Sequence, residues 1–189
     1  HEIKNPLTPI RLAAERLRRK YHNEIKTDPD VFADCTETII RQVDDIGHLI
    51  NEFSNFARMP APEFHREDVS EIARQILFLQ QVGNPGITYE SSLPLEPLII
   101  HCDRSQVGQA LTNILQNAAQ AFEEMEALPQ TSSIRLTVIA DQERVQIEVS
   151  DNGCGLPKDL RDSVAEPYVT SRENGTGLGL AIVNKIMED

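Results

Sequence analysis

DRSQVGQALTNILQNAAQAFEEM, Asp103–Met125, reads as a helix with two different faces. Asp103 stands where an N-cap belongs, and Val107, Leu111, Ile114, Leu115, Ala118 and Phe122 recur at helical spacing as one apolar stripe. The other side is a strip of amides: Gln109, Asn113, Gln116, Asn117 and Gln120. Asn113 and Asn117 are one helical turn apart and point the same way. A solvated face would explain amides alone, so what surrounds the helix decides its meaning.

Around it the pattern is mixed. A helix is predicted over Asp68–Val82, strands over Ile87–Ser91 and Leu98–Cys102, and a strand pair over Ile134–Ala140 and Val145–Ser150 with a polar turn at Asp141–Arg144. Helix returns over Leu178–Met187. Such an order predicts an α/β sandwich, a sheet covered on one face by helices. DNGCG, Asp151–Gly155, follows an apolar strand, and its glycines would let the backbone turn tightly and come close to a flat ligand, with Asp151 placed to accept from an exocyclic amine. A mere connection explains that turn equally well. GTGLGL, Gly175–Leu180, runs from a glycine-rich loop into a helix, which offers backbone donors and the positive helix end to an anion.

Upstream the apolar pattern is helical throughout. Ile3, Leu7, Ile10, Ala14, Leu17 and Tyr21 alternate steps of four and three. Phe32, Ile39, Ile46 and Phe53 recur every seven, flanked by the rows Cys35, Gln42, Leu49, Phe56 and Thr36, Val43, Ile50, Ala57. The stripe is about three positions in seven wide, the width found inside a bundle. Asp28 before Pro29 reads as an N-cap and a first helical residue, so the chain turns back after Asn23. A helical hairpin that dimerises into a four-helix bundle satisfies so wide a face; the alternative is a monomeric hairpin packed on the second domain. Prolines in MPAP mark the connection, giving a hairpin over 1–57, a linker over 58–66 and an α+β domain over 67–189. If Ile3 and Leu7 face the bundle, His1, Glu2 and Asn5 face outward together, and Pro6 and Pro9 loosen the helix beside them; in the other view, HEIKN is a frayed lead-in.

Composition narrows the function. The 189 residues carry 18 Lys plus Arg against 30 Asp plus Glu, a net charge of -12 that repels nucleic acid and anionic lipid. Residues 67–189 hold 8 basic and 19 acidic side chains of these. No apolar run is long enough for a bilayer and no signal-peptide layout opens the chain, so a soluble segment without membrane contact is expected. The widely spaced Cys35, Cys102 and Cys154 suggest neither a metal site nor a disulfide framework and fit a reducing, cytoplasmic setting.

HEIKNP, the asparagine pair in LTNILQNAAQAF, DNGCG, EPYVTSR and GTGLGL, in that order, closely resemble the sequence boxes of bacterial sensor histidine kinases. HEIKNPLTPIRLAAERL and IGHLINEFSNFARMP resemble most the NtrY-type nitrogen-regulation sensors, and the resemblance covers essentially the whole chain. It implies ATP and magnesium as cofactors, the ATP-binding fold shared with gyrase and Hsp90, a homodimer, and a response-regulator receiver domain as partner. His1 would be the phosphoacceptor, with Glu2 accepting a hydrogen bond from its other ring nitrogen. Asn117 would coordinate magnesium through its amide oxygen with Asn113 in support. Asp151 would select adenine, with Gly153 and Gly155 shaping the pocket, while Gly175, Thr176, Gly177, Leu178 and Gly179 embrace the phosphates. Pro157–Asn174 would be a mobile lid with Tyr168 its aromatic anchor and Arg172 a phosphate contact. Asn5 resembles the residue that positions water to dephosphorylate the regulator.

Departures bear on this transfer. Gln120 stands where many relatives carry a basic residue, leaving a phosphate contact to come from elsewhere, with Arg172 the candidate, and Tyr168 replaces the usual Phe. The chain starts at the histidine and stops at Asp189, so it is expected to be a piece of a membrane-anchored sensor, incomplete at its C-terminal side. Two rivals stay open. An ATPase switch of the gyrase and Hsp90 superfamily would need a glutamate base where Asn113 stands. A degenerate binding module would have no need of Asn117, Asp151 and the glycines. The basic cluster Arg16, Arg18, Arg19 and Lys20 reads first as a solvated helix face, with an acidic regulator surface as the alternative.

Overall fold

The computed structural model describes residues 4–123, 125, 131–141, 144–157, 159–161, 163–170, 172 and 175–188, apart from the side chains of Lys4, Asn5, His48 and Asn55. The chain divides into two compact units, His1–Met59 and Pro60–Asp189.

The first unit is a helical hairpin of α1 (Lys4–Tyr21) and α2 (Pro29–Ala57). Ala14 of α1 and Thr36 and Val43 of α2 are the buried residues of the hairpin, and the Thr36 hydroxyl donates to the carbonyls of Phe32 and Ala33, both at 2.9 Å, so its burial leaves no polar group unsatisfied. Arg11 bridges the helices to Asp44 at 3.4 Å. Of the three rows on α2, only the one through Thr36 and Val43 is covered by α1. Ile39, Ile46, Leu49 and Phe53 stay exposed, as do Ile10, Leu12 and Leu17 on α1. Asp28 takes the position before α2, but not as the N-cap expected. Its backbone is left-handed (φ 52°), a region Asp tolerates, and no side-chain cap bond forms because capping needs an extended residue there.

The second unit is α/β. In chain order it contains β1 (His65–Asp68), α3 (Val69–Gly83), β2 (Thr88–Ser92), β3 (Ile99–Cys102), α4 (Arg104–Gln120), β4 (Ser133–Ala140), β5 (Val145–Asp151) and α5 (Gly179–Glu188). β1 pairs antiparallel with β3, and a separate three-stranded sheet runs β2-β4-β5, with β2 parallel and β5 antiparallel to β4. Strict alternation along β4 sends Ile134, Leu136 and Val138 into the core, where they meet Val69, Ile72, Ala73 and Leu77 of α3 and Leu111, Leu115 and Ala118 of α4. The outward side is wet: Arg135 pairs with Glu90 at 2.8 Å. Asp68 and Asp103 cap α3 and α4 through the N–H groups of Ser70, and of Ser105 and Gln106. No described helix is long and apolar enough to cross a membrane.

Two boundaries differ from expectation. β1 begins at His65, inside the stretch expected to be linker, and runs on to Asp68, because its pairing with β3 satisfies backbone groups there. α4 stops at Gln120 rather than Met125: Phe122 turns into the core, and the Ala121 carbonyl accepts from the Cys154 N–H at 3.3 Å, a partner across the unit instead of along the helix.

Candidate functional site

The C-terminal half of α4 gathers most of the expected site. Asn113 donates through Nδ2 to the Gly179 carbonyl at 3.3 Å, tying α4 to the first residue of α5. One turn on, Asn117 lies beside the same glycine, where an added Cβ would sit 3.7 Å from its Nδ2. The amide strip is therefore not a plain wet face; it meets the start of a helix, where N–H groups and the helix dipole favour negative charge.

The loop before α5 is closed on itself. Tyr168 N–H donates to the Gly177 carbonyl at 3.0 Å, and both residues are left-handed, at φ 69° and 66°. Gly177 needs to be glycine twice over: for that φ, and because a Cβ would lie 2.6 Å from the Tyr168 carbonyl carbon. The Tyr168 ring, expected to anchor the lid, is exposed; the main chain holds this residue. Thr176 Oγ1 accepts from Leu178 N–H at 3.3 Å, and Leu178 itself is buried, fixing the loop's exit into α5.

Within this loop Arg172 folds back onto the end of α4. Its guanidinium donates to Asn117 Oδ1 at 3.2 Å, to the Asn117 carbonyl at 3.1 Å and to Gln120 Oε1. Gln120, the position where a basic residue was missing, is met by a cation from the loop. Asn117 Oδ1 thus already holds positive charge, which fits a hard-cation ligand.

At the end of β5, Asp151 Oδ1 accepts from Gly153 N–H at 2.9 Å, so the carboxylate is oriented by the turn that follows it. Asn152 bonds both the Ser133 N–H and the Thr131 carbonyl, pinning this corner to the start of β4. Gly155 is left-handed (φ 72°) in open space. Asn113, Asn117, Arg172, Thr176, Gly177, Leu178 and Gly179 are linked through α4 and the α5 loop, while Asp151 and Gly153 join them through the Cys154–Ala121 bond at the end of α4. Gly175 closes on Thr170 and Arg172 inside the loop. His1 and Glu2 lie outside the described residues, as do parts of the expected lid; Asn5 is in the first turn of α1, its side chain outside the description.

Sequence reasoning missed Gln106, a buried polar side chain that donates to the Pro60 carbonyl at 3.0 Å, and the second role of Asp103, whose Oδ2 accepts from Glu63 N–H at 2.9 Å. The cap signal found Asp103; nothing in the local sequence points to its partner forty residues away. That N–H, with those of Gln106 and Ser105 and the positive field of His65, holds the Asp103 carboxyl below its ordinary value despite partial burial.

Two family models match the chain: the His Kinase A (phospho-acceptor) domain over residues 1–62 and the histidine kinase-, DNA gyrase B-, and HSP90-like ATPase over residues 102–189. The nitrogen regulation protein NtrY of Azorhizobium caulinodans is 52% identical over the whole chain, and a putative sensor histidine kinase, NtrY-like, of Rickettsia conorii is 38% identical. The chain spans 24% and 31% of those relatives' lengths. Among solved structures, histidine kinase ThkA in complex with response regulator TrrA aligns with a TM-score of 0.66 over 100% of this chain and 52% of that one, at 24% identity, a likeness of fold.

Proposed function

This chain belongs to the sensor histidine kinases of the NtrY type, and from that premise we propose that it binds ATP with magnesium at the end of α4, phosphorylates His1, and passes the phosphoryl group to a response-regulator aspartate. The observation that carries the proposal is Asn117: its amide oxygen sits beside the N-terminus of α5 and already accepts from a guanidinium. Asn117 would hold the magnesium, whose charge helps neutralise the triphosphate when bound. The N–H groups of Gly175–Gly179 and the dipole of α5 would hold phosphates, and Asp151, oriented by its turn, would accept from the adenine amine. Arg172 would shift from the Asn117 oxygen to the phosphates, supplying the cation that Gln120 lacks. Gly153, packed against Ala121, and Gly155, in open space, would shape the adenine side.

The reaction needs His1 presented outside the bundle. The exposed rows of Ile39, Ile46, Leu49 and Phe53 support a homodimeric four-helix bundle, since a hairpin that leaves this much apolar surface in water gains stability by pairing. Glu2 would accept from the second ring nitrogen of His1 and raise its nucleophilicity. Asn5, four residues after His1 in the sequence, would orient water for dephosphorylation of the regulator. The solved complex of histidine kinase ThkA with response regulator TrrA supports a response regulator as partner.

Incubation of the chain with γ-labelled ATP and magnesium, beside His1→Gln, tests this. Acid-labile, alkali-stable label lost in the variant is expected; release of phosphate without labelled protein would instead support an ATPase switch. Asn5→Ala is expected to keep autophosphorylation and lose regulator dephosphorylation, and unchanged dephosphorylation refutes its role.

A further inference from the structure

We propose that Asp103 and Gln106 are positioning residues for phosphoryl transfer: they clasp the segment leaving the hairpin onto the first turn of the helix that carries Asn113 and Asn117. The proposal rests on the kinase reading above. Gln106 Nε2 donates to the Pro60 carbonyl at 3.0 Å, and the Glu63 N–H donates to Asp103 Oδ2 at 2.9 Å. β1 then begins two residues later and pairs with β3, the strand that runs into α4.

Capping alone does not account for this arrangement. The Ser105 and Gln106 N–H groups both go to Asp103 Oδ1, so a single oxygen does the capping and the other goes to the incoming chain. Gln106 is 6% exposed, a burial that is unfavourable for an amide unless it is bonded, and its Nε2 bonds Pro60. Pro60 and Pro62 fix φ within the clasped stretch.

The consequence is mechanical. From Pro60 onward the backbone belongs to the second unit, so Pro60–Arg66, expected as linker, is held to that unit by the Pro60 and Glu63 bonds and by the start of β1. From Gln106 to Asn117 is about 16 Å of rigid helix. A direction fixed at Pro60 is therefore passed to the amides without intervening loose residues, and holding reactants in one geometry is where much of a transfer rate comes from.

Asp103→Ser with Gln106→Ala in the full chain separates clasp from cap, because serine still caps a helix. Hydrogen exchange at the Glu63 amide is expected to rise about tenfold, as two modest hydrogen bonds are lost. Autophosphorylation at saturating ATP is expected to fall about tenfold, with the nucleotide Kd held within about twofold. Glu63→Pro, which removes the donor and leaves Asp103 intact, is expected to lower the rate in the same sense. An unchanged Glu63 amide overturns the clasp. Faster exchange with an unchanged rate, or a rate loss matched by the loss in Kd, overturns the positioning role. A parent chain that takes no label refutes the kinase reading and this role together, while the exchange result still decides the clasp.

Discussion

Replacing Gly177 by alanine, beside the same change at Gly155, isolates what the closed loop before α5 contributes. Both glycines are left-handed, at φ 66° and 72°, and an L side chain there costs about 1–2 kcal/mol. At Gly155 that is the whole penalty, since an added Cβ has nothing within 4 Å. At Gly177 the Cβ would meet three backbone atoms, the Tyr168 carbonyl carbon at 2.6 Å, Val169 N at 2.7 Å and Tyr168 Cα at 2.8 Å. Those atoms cannot swing aside as a side chain would, and the 3.0 Å bond from Tyr168 N–H to the Gly177 carbonyl pulls them inward. Overpacking adds about 1–3 kcal/mol and the broken bond about 1 more, for a total of about 3–6 kcal/mol. Because the loop opens locally, the loss should appear in ligand binding more than in global unfolding. Titration calorimetry with ATP and magnesium is expected to show Gly177→Ala weakened by a factor of about 10²–10⁴ and Gly155→Ala by about thirtyfold or less. Binding by Gly177→Ala within tenfold of the parent, or an equal loss in both variants, would refute the steric account.

Removing the Asn117 oxygen with Asn117→Ala is expected to abolish the gain in ATP affinity that magnesium gives over a chelator; a surviving gain places the metal on other ligands. Leu115→Ala, at a fully buried position on the core face of α4, is expected to lower stability by about 3–5 kcal/mol in denaturant titration, and a change under 1 kcal/mol would mean the core collapses around it. For Asp103→Ala, the gap in melting temperature from the parent should depend on pH. The folded state holds this carboxyl below its ordinary 3.8, first through the Glu63 N–H, so its contribution is complete above that value and is lost as pH falls through the lower folded-state value. Melting scans should show a constant gap from neutral pH to about 5 that closes only in stronger acid; a gap that closes near neutrality points to another group.

Much of this architecture is legible in residue order because periodicity and burial coincide. Ile134, Leu136 and Val138 alternate and are buried; Val107, Leu111, Leu115, Ala118 and Phe122 follow the helical period and join the core, while Ile114 of the same stripe is half-buried outside it. Asp28 shows the limit of such reasoning: residue type and a following proline place the helix start, yet the backbone at Asp28 is set by how the chain leaves α1, and it turns left-handed. The site divides in the same way. Asn113, Asn117, Asp151 and the glycines are placed by their own helix or turn, and the resemblance rather than their spacing marks them as candidates. The docking of Arg172 on Gln120, and of Glu63 on Asp103, joins residues far apart in sequence through single hydrogen bonds, and one-dimensional patterns carry no trace of these.

The parallel pairing of β2 with β4 has a consequence for how this unit is made. A parallel neighbour cannot be reached by a tight turn, and here the crossover between the two strands contains β3 and the whole of α4. The asparagine-bearing helix is thus sewn into the connection that closes the sheet. The β4–β5 hairpin can zip early from local contacts, but Thr88 finds Ser133 only after the intervening chain has folded back, a slow, non-local step. Nucleotide binding during refolding should therefore appear late and all at once, with the last strand to join the sheet.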